Sequence, residues 1–241
     1  VAWNWKSGGS ASSNTDGSIS SSVSVNQTAG FSIVAFTMTS GDNTVGHGLG
    51  TEPDFLIFKR RDGVSSWVTW ARPFGENTKS NLLLNSSGSA GSSGSGNWIQ
   101  NITNTTVGIG SYGNMESSGD HIMYAFASVD GYSKIGSYIG TGSANGTFVY
   151  TGFRPAWIMM KGSNTTGNWF ILDATRSAFN EADDRLDADN SNAESTSNSD
   201  IDFLSNGFKI RSASTAGINQ NNDTHIYLAF AEAPFKYANA R

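Results

Sequence analysis

Residues 121–127 read His-Ile-Met-Tyr-Ala-Phe-Ala, and residues 225–231 read His-Ile-Tyr-Leu-Ala-Phe-Ala. A recurrence of this kind marks one module carried twice, and it constrains the fold more than any other feature of the chain. Further landmarks recur in the same order. Gly30-Phe31-Ser32 answers to Gly131-Tyr132-Ser133, and Pro53 followed by Phe55-Leu56-Ile57-Phe58-Lys59 answers to Pro155 followed by Trp157-Ile158-Met159-Met160-Lys161. Pro155 lies 102 residues after Pro53, as Trp169 does after Trp67; the separation is 104 for Arg72 and Arg176 and for the two histidines. Two extra residues upstream of Arg176 account for the drift. The spacing predicts two homologous repeats, over 29–129 and 130–241, behind a short N-terminal connector over 1–28 that docks on the first repeat.

The repeats read as β structure. Glycine is abundant at 28, proline scarce at 4, and Ser, Thr and Asn fill the stretches between apolar runs, as in short strands joined by many turns. The period-two run Ser22-Val23-Ser24-Val25 predicts a strand inside the connector. In the first repeat, strands are expected at 31–38, 54–60, 66–72, 81–85, 97–109 in pieces, and 120–127. Phe55–Phe58 and Trp157–Met160 are continuously apolar, which predicts central strands covered on both faces. Gly63 and Gly167 are expected to supply the positive φ of the hairpins that follow them. The stretch 177–189, with Ala178, Ala182 and Leu186 at spacing four, admits a short helix or a turn. The fold class these elements predict is all-β: two tandem antiparallel β-sandwich repeats, jelly-roll-like, with the connector in front.

Composition removes several functions. Only 15% of residues are charged and the balance is −5, which lacks the basic footprint of a nucleic-acid binder. No apolar run approaches the ~20 residues of a membrane span, so membrane insertion is not expected. With no cysteine there is neither disulfide, thiolate metal site nor Cys nucleophile. The chain begins at Val1 rather than Met, as a fragment or processed product would.

Candidate chemistry is sparse. Gly108-Ile109-Gly110-Ser111-Tyr112-Gly113 matches a dinucleotide-binding pattern, yet polar turn sequence follows it where a helix N-terminus is needed, so it reads as a turn. Asp183, Asp184, Asp187, Asp189 and Asn190 offer hard oxygens but lack the loop glycine and the distal glutamate of an EF-hand, and a solvated acidic turn is the expectation. His121 and His225 hold equivalent places, which favours a structural role in both repeats; His47 stands in a turn whose counterpart in the second repeat has Val149, so it is not shared. No serine elbow is present, and nothing in the sequence pairs any two of Glu52, Asp54, Glu76, Asp173 and Glu181 for glycoside hydrolysis. No catalytic residue, metal or cofactor is therefore assigned. Aromatic residues are the suggestive group. Trp67, Trp157 and Trp169 are expected in the core, whereas Phe74, Trp98, Tyr112 and Phe179 lie in or beside polar loops, where a ring can stack on a sugar or anchor an interface.

The opening Val1-Ala2-Trp3-Asn4-Trp5-Lys6, the blocks Val45-Gly46-His47-Gly48-Leu49-Gly50 and Gly152-Phe153-Arg154-Pro155-Ala156-Trp157, and the ending from Ala229 to Arg241 resemble the C-terminal region of tail-fibre or virion structural proteins of tailed phages of marine and aquatic type. The resemblance spans nearly the whole chain and implies no catalytic residues. It implies a receptor-binding module on the virion, an extracellular particle surface, attaching to host cell-surface carbohydrate or protein, in contact with other virion proteins and multiplied as a homotrimer. A structural or decorating protein of capsid or tail is the alternative, and a polysaccharide depolymerase the third.

Overall fold

Alternating apolar and polar side chains become strand after strand. The computed structural model describes residues 4–76, 80–92, 98–110, 118–196, 200–213 and 215–233. Contacts divide the chain into two units, Val1–Leu83 with Gly91–Ser128, and Val129–Arg241 with Leu84–Ala90.

The first unit contains β1 (Ser12–Asn14), β2 (Ser21–Asn26), β3 (Phe31–Met38), β4 (Asn43–Gly46), β5 (Phe55–Arg60), β6 (Val68–Ala71), β7 (Ser80–Leu83), β8 (Gly91–Ser92), β9 (Ile99–Gln100), β10 (Thr106–Ile109) and β11 (Gly119–Phe126). The large sheet runs β1-β2-β3-β11-β5-β6-β7-β8, and the small one β4-β10-β9. The second unit contains β12 (Ser133–Ile139), β13 (Phe148–Tyr150), β14 (Pro155–Gly162), β15 (Phe170–Asp173), β16 (Arg185–Asp187), β17 (Ile201–Leu204), β18 (Gly207–Ile210) and β19 (Thr224–Ala231). Its sheets run β12-β19-β14-β15-β16 and β13-β18-β17. In the first unit β11 lies between β3 and β5, in the second β19 lies between β12 and β14, and the named strands pair antiparallel.

Each unit is a sandwich, because its core draws on both sheets. Val34, Phe36, Met38, Leu56, Phe58 and Trp70 of the first large sheet pack with Val45, Ile99, Val107 and Ile109 of the small one. In the second unit Tyr138, Ile158, Met160, Leu172 and Tyr227 meet Val149, Phe203, Phe208 and Ile210. Burying one such side chain contributes about 1.5–3 kcal/mol, so these layers set the stability of each unit. The connector contributes β1 and β2 to the sheet, and Trp5 sets its ring 5.6 Å from Phe126 and 6.4 Å from Phe31.

Several local expectations are corrected. Neither Gly63 nor Gly167 takes positive φ, because the connections are not tight hairpins but run over 61–67 and 163–169. Over 177–189, where the spacing admits a helix or a turn, bends and the short strand β16 form and no helix does. Ala182 is buried by bonding to Ile201, and Leu186 lies in β16 opposite Ile171, so strand pairing overrides the spacing of four. Trp67 is exposed rather than buried, lying over Tyr124 with ring centres 6.5 Å apart. Trp157 and Trp169 are buried as expected.

Candidate functional site

The sequence Phe148-Val149-Tyr150 determines which way β13 faces. Side chains alternate along a strand. Val149 is drawn into the core opposite Phe208, and both aromatic neighbours must then point outward. Phe148 is 45% exposed and Tyr150 65%. They border an open groove of about 660 Å³ that Ile139, Thr141, Asn221 and Asn222 also line, with Tyr138 and Tyr227 contributing. Gly207, opposite Tyr150 in the ladder, allows this surface to lie flat: a Cβ there would stand 2.0 Å from the Val149 carbonyl oxygen and 3.2 Å from Phe148 Cε2.

The first unit shows why the groove is open. Its corresponding edge strand, β4, is covered by the connector: Ile19 bridges Val45 in parallel, Ser18 N–H donates to Thr44 Oγ1 at 2.7 Å, and Ser21 Oγ donates to the Gly46 carbonyl at 2.9 Å. A Cβ on Gly46 would meet Asn14 Oδ1. Among the described residues, β13 pairs with β18 alone. The connection before it is also longer, 140–147 against 39–42 before β4, and this extra chain forms the rim.

A buried asparagine pins that rim. Asn219 Oδ1 accepts from Thr141 N–H at 2.8 Å, and its Nδ2 donates to the carbonyls of Ser143 at 2.8 Å and Ser212 at 2.7 Å. Tyr138 donates its hydroxyl to the Ile218 carbonyl at 2.6 Å. Asn222, at φ 60, donates its N–H to the Gly140 carbonyl at 3.0 Å. Behind the rim, Asp223 accepts from Asn164 N–H at 3.0 Å and Thr165 Oγ1 at 2.7 Å.

The electrostatics separate the groove from its support. Among the described residues, no charged side chain lines the groove, and burial pushes the Tyr227 hydroxyl up to about 12, so it remains a neutral donor and acceptor. Burial raises Tyr138 well above the usual tyrosine value, with Asp200 and Asp223 adding to the effect. Lys161, fully buried, is pushed down to about 8 by burial, against the pull of Asp189 and Asp223, and donates to the Ser87 carbonyl at 3.2 Å. Burial raises Asp200 to about 6, opposed by Arg185, whose Nη1 is 3.2 Å from Oδ2.

The sequence candidates lie elsewhere. Trp98 is a correction: it is 1% exposed, with its indole N–H donating to the Ser80 carbonyl at 3.0 Å and its ring edge-on to Phe58 at 5.9 Å. A polar neighbourhood in sequence conceals a core residue. Phe74 is half-buried against the same core, Phe179 is 85% exposed, and Tyr112 lies outside the described residues. None of the three described lines the groove. Of the glycine pattern, Gly108 and Ile109 lie in β10, and residues 111–113 fall outside the described residues.

The histidines are structural. His121 stacks on Phe36 and His225 on Tyr138, each pair directly opposed across neighbouring strands, with ring centres 5.8 and 5.0 Å apart. Their Nδ1 atoms lie 3.0 Å from the Gly119 carbonyl and 3.1 Å from the Gly217 carbonyl, which makes Nδ1 the protonated nitrogen. His47 is the reverse, since Nδ1 accepts from Leu49 N–H at 3.2 Å. Burial lowers the pKa of all three. The place of His47 is taken in the second unit by Thr151 rather than Val149: Thr151 Oγ1 accepts from Phe153 N–H at 3.5 Å, and Gly48 and Gly152 follow at φ 71 and 88.

The acids are engaged by arginine. Glu52, Asp54 and Glu76 surround Arg72 at 3.2, 2.7 and 3.9 Å, Asp173 meets Arg176 at 2.5 Å, and Glu181 meets Arg211 at 3.0 Å. Asp187 and Asp189 hold turns, accepting from Asn168 Nδ2 at 2.8 Å and Trp169 N–H at 2.9 Å. Among the described residues, no group of three or more His, Asp or Glu is arranged to hold a metal ion.

Phe148 and Tyr150 were the residues that sequence reasoning missed. Their signal was two aromatics flanking a valine, a period-two pattern that turns both rings away from whatever buries the valine. No curated protein and no solved structure matches the chain. A family model covers residues 1–234, and the chain belongs to that family, described as Domain of unknown function (DUF7483).

Proposed function

We propose that this chain is a non-enzymatic receptor-binding module at the surface of a tailed-phage virion, attaching to host cell-surface carbohydrate through the groove beside β13. The observation that carries the reading is the exposed pair Phe148 and Tyr150, held on a pinned strand beside amide and hydroxyl groups. Aromatic faces with adjacent hydrogen-bonding groups suit the C–H faces and hydroxyls of sugars. The likeness of the opening and closing segments to virion proteins supports the particle setting. Arginine pairing of Glu52, Asp54, Glu76, Asp173 and Glu181 supports recognition without cleavage, because those carboxylates are committed to ion pairs. A trimer on the virion presents several shallow sites together, and avidity then compensates for weak single contacts.

A second reading is a structural contact with neighbouring virion proteins, in which the exposed neighbours Ile139, Phe148 and Tyr150 are covered by another subunit instead of a sugar. Binding of fluorescent full-length chain to host cells separates the two. Host recognition predicts cell labelling that purified surface polysaccharide competes away, with that polysaccharide keeping its chain length; shortened chains would indicate a depolymerase. Absence of labelling, with incorporation into particles intact, favours the structural role.

A further inference from the structure

Resting on the reading that the β13 groove takes carbohydrate, we propose that its ligand is an uncharged oligosaccharide, engaged through at least two consecutive pyranose rings on Phe148 and Tyr150.

The lining dictates the charge. Among the described residues, Ser, Thr, Asn, Tyr, Phe, Ile, Val and Gly are the residue types around the groove, with no Lys, Arg, Asp or Glu. Lys209 stands opposite Phe148 across the ladder, with its ammonium donating to Asn145 Oδ1 at 2.5 Å, and it is not one of the residues that line the groove. A uronic or sialic carboxylate seated in the groove would shed hydration without meeting a cation among the described lining residues, which disfavours acidic sugars. A neutral sugar meets the opposite situation. Its hydroxyls both donate and accept, as do the side-chain amides of Asn221 and Asn222 and the hydroxyls of Thr141 and Tyr227.

The ring count follows from the strand. Phe148 and Tyr150 stand two residues apart on one face of β13, a rise of about 7 Å. That distance is too long for one pyranose to cover both rings and suits two joined units. The platform is fixed: Gly207 leaves it flat, and Asn219 ties the rim that carries Thr141.

Calorimetric titration of the full chain with neutral trisaccharides of glucose, galactose, mannose and rhamnose, beside oligouronates of the same length, tests the proposal. At least one neutral trisaccharide is expected to bind, with affinity constant within about twofold from low to high salt, since no ion pair is screened. Phe148→Ala and Tyr150→Ala should each weaken it about tenfold, and an unchanged thermal midpoint shows that these exposed sites left the fold intact. If oligouronates bind instead, with salt-sensitive affinity lost in the two variants, the neutral ligand is wrong while the groove stands. If a neutral trisaccharide binds equally well to the parent and both variants, or no oligosaccharide binds, the groove reading falls and the proposal with it.

Discussion

The two units share one strand order and differ in what they bury and what they leave open. Among the described residues, the first unit buries Ser21, Ser32, Asn43, His47, Thr69, Asn81 and His121 but no Asp, Glu, Lys or Arg; the second buries Lys161, Asp173, Asp200 and Asp223. The first has its small-sheet edge closed by the connector, whereas the second presents Phe148 and Tyr150 there. The difference teaches that similar strand orders can carry different interiors and edges. The first unit combines an interior without buried charge with a covered edge. In the second, buried polar groups hold the backbone of a rim around an open edge, and low local dielectric makes each of those bonds costly to lose.

The contrast breaks most sharply at the first core. Trp98→Ala should destabilise the first unit by about 3–5 kcal/mol, through lost burial and the cavity left beside Phe58. Chemical denaturation followed with groove binding as a second probe should show the first unit melting early while saccharide affinity at low denaturant is retained. Next comes Asn219→Ala, which strands the Thr141 N–H and the carbonyls of Ser143 and Ser212. A loss of about 2–4 kcal/mol in the second unit is expected, together with loss of groove binding in the molecules that remain folded.

A smaller effect of opposite sign is expected at Lys161. Its folded pKa of about 8 lies below the ordinary 10.5, so the folded state favours the neutral amine. The unfolded chain binds more protons between these values, and stability from this group therefore rises with pH from about 8 to 10.5 and is lost as pH falls through 8. Lys161→Met should stabilise the second unit at pH 7 by about 1–2 kcal/mol once the lost bond to the Ser87 carbonyl is set against the relieved charge burial, and flatten the pH dependence between 8 and 10. Denaturation midpoints of parent and variant at pH 7 and pH 10 decide it; a variant less stable at pH 7 would show that Lys161 is a net stabiliser. Least of all, Phe179→Ser should change stability by under about 0.5 kcal/mol and leave saccharide binding untouched.

Legibility in the sequence followed the range of the forces involved. Strand β3 matches its expected span of 31–38, and β11 runs Gly119–Phe126 against 120–127, because alternation and dense apolar runs are local signals. Arg185–Asp187 escaped, since its strand character comes from pairing with Ile171 and its neighbours, which no local spacing records. Trp98 and Trp67 exchanged places for the same reason: polar flanks said exposed for the buried ring, and a strand position said buried for the exposed one. The groove was half legible. The Phe148-Val149-Tyr150 pattern is visible, and so is the lack of a second connector, but only the covered β4 edge shows that these two facts belong together.

Hydroxyl-radical footprinting of the full chain, with and without a bound oligosaccharide, tests directly whether recognition resides at the uncovered edge. Protection should appear at Phe148 and Tyr150 and be absent at Trp67, Phe74 and Phe179. Protection confined to those three, with Phe148 and Tyr150 oxidised equally in both samples, would contradict it.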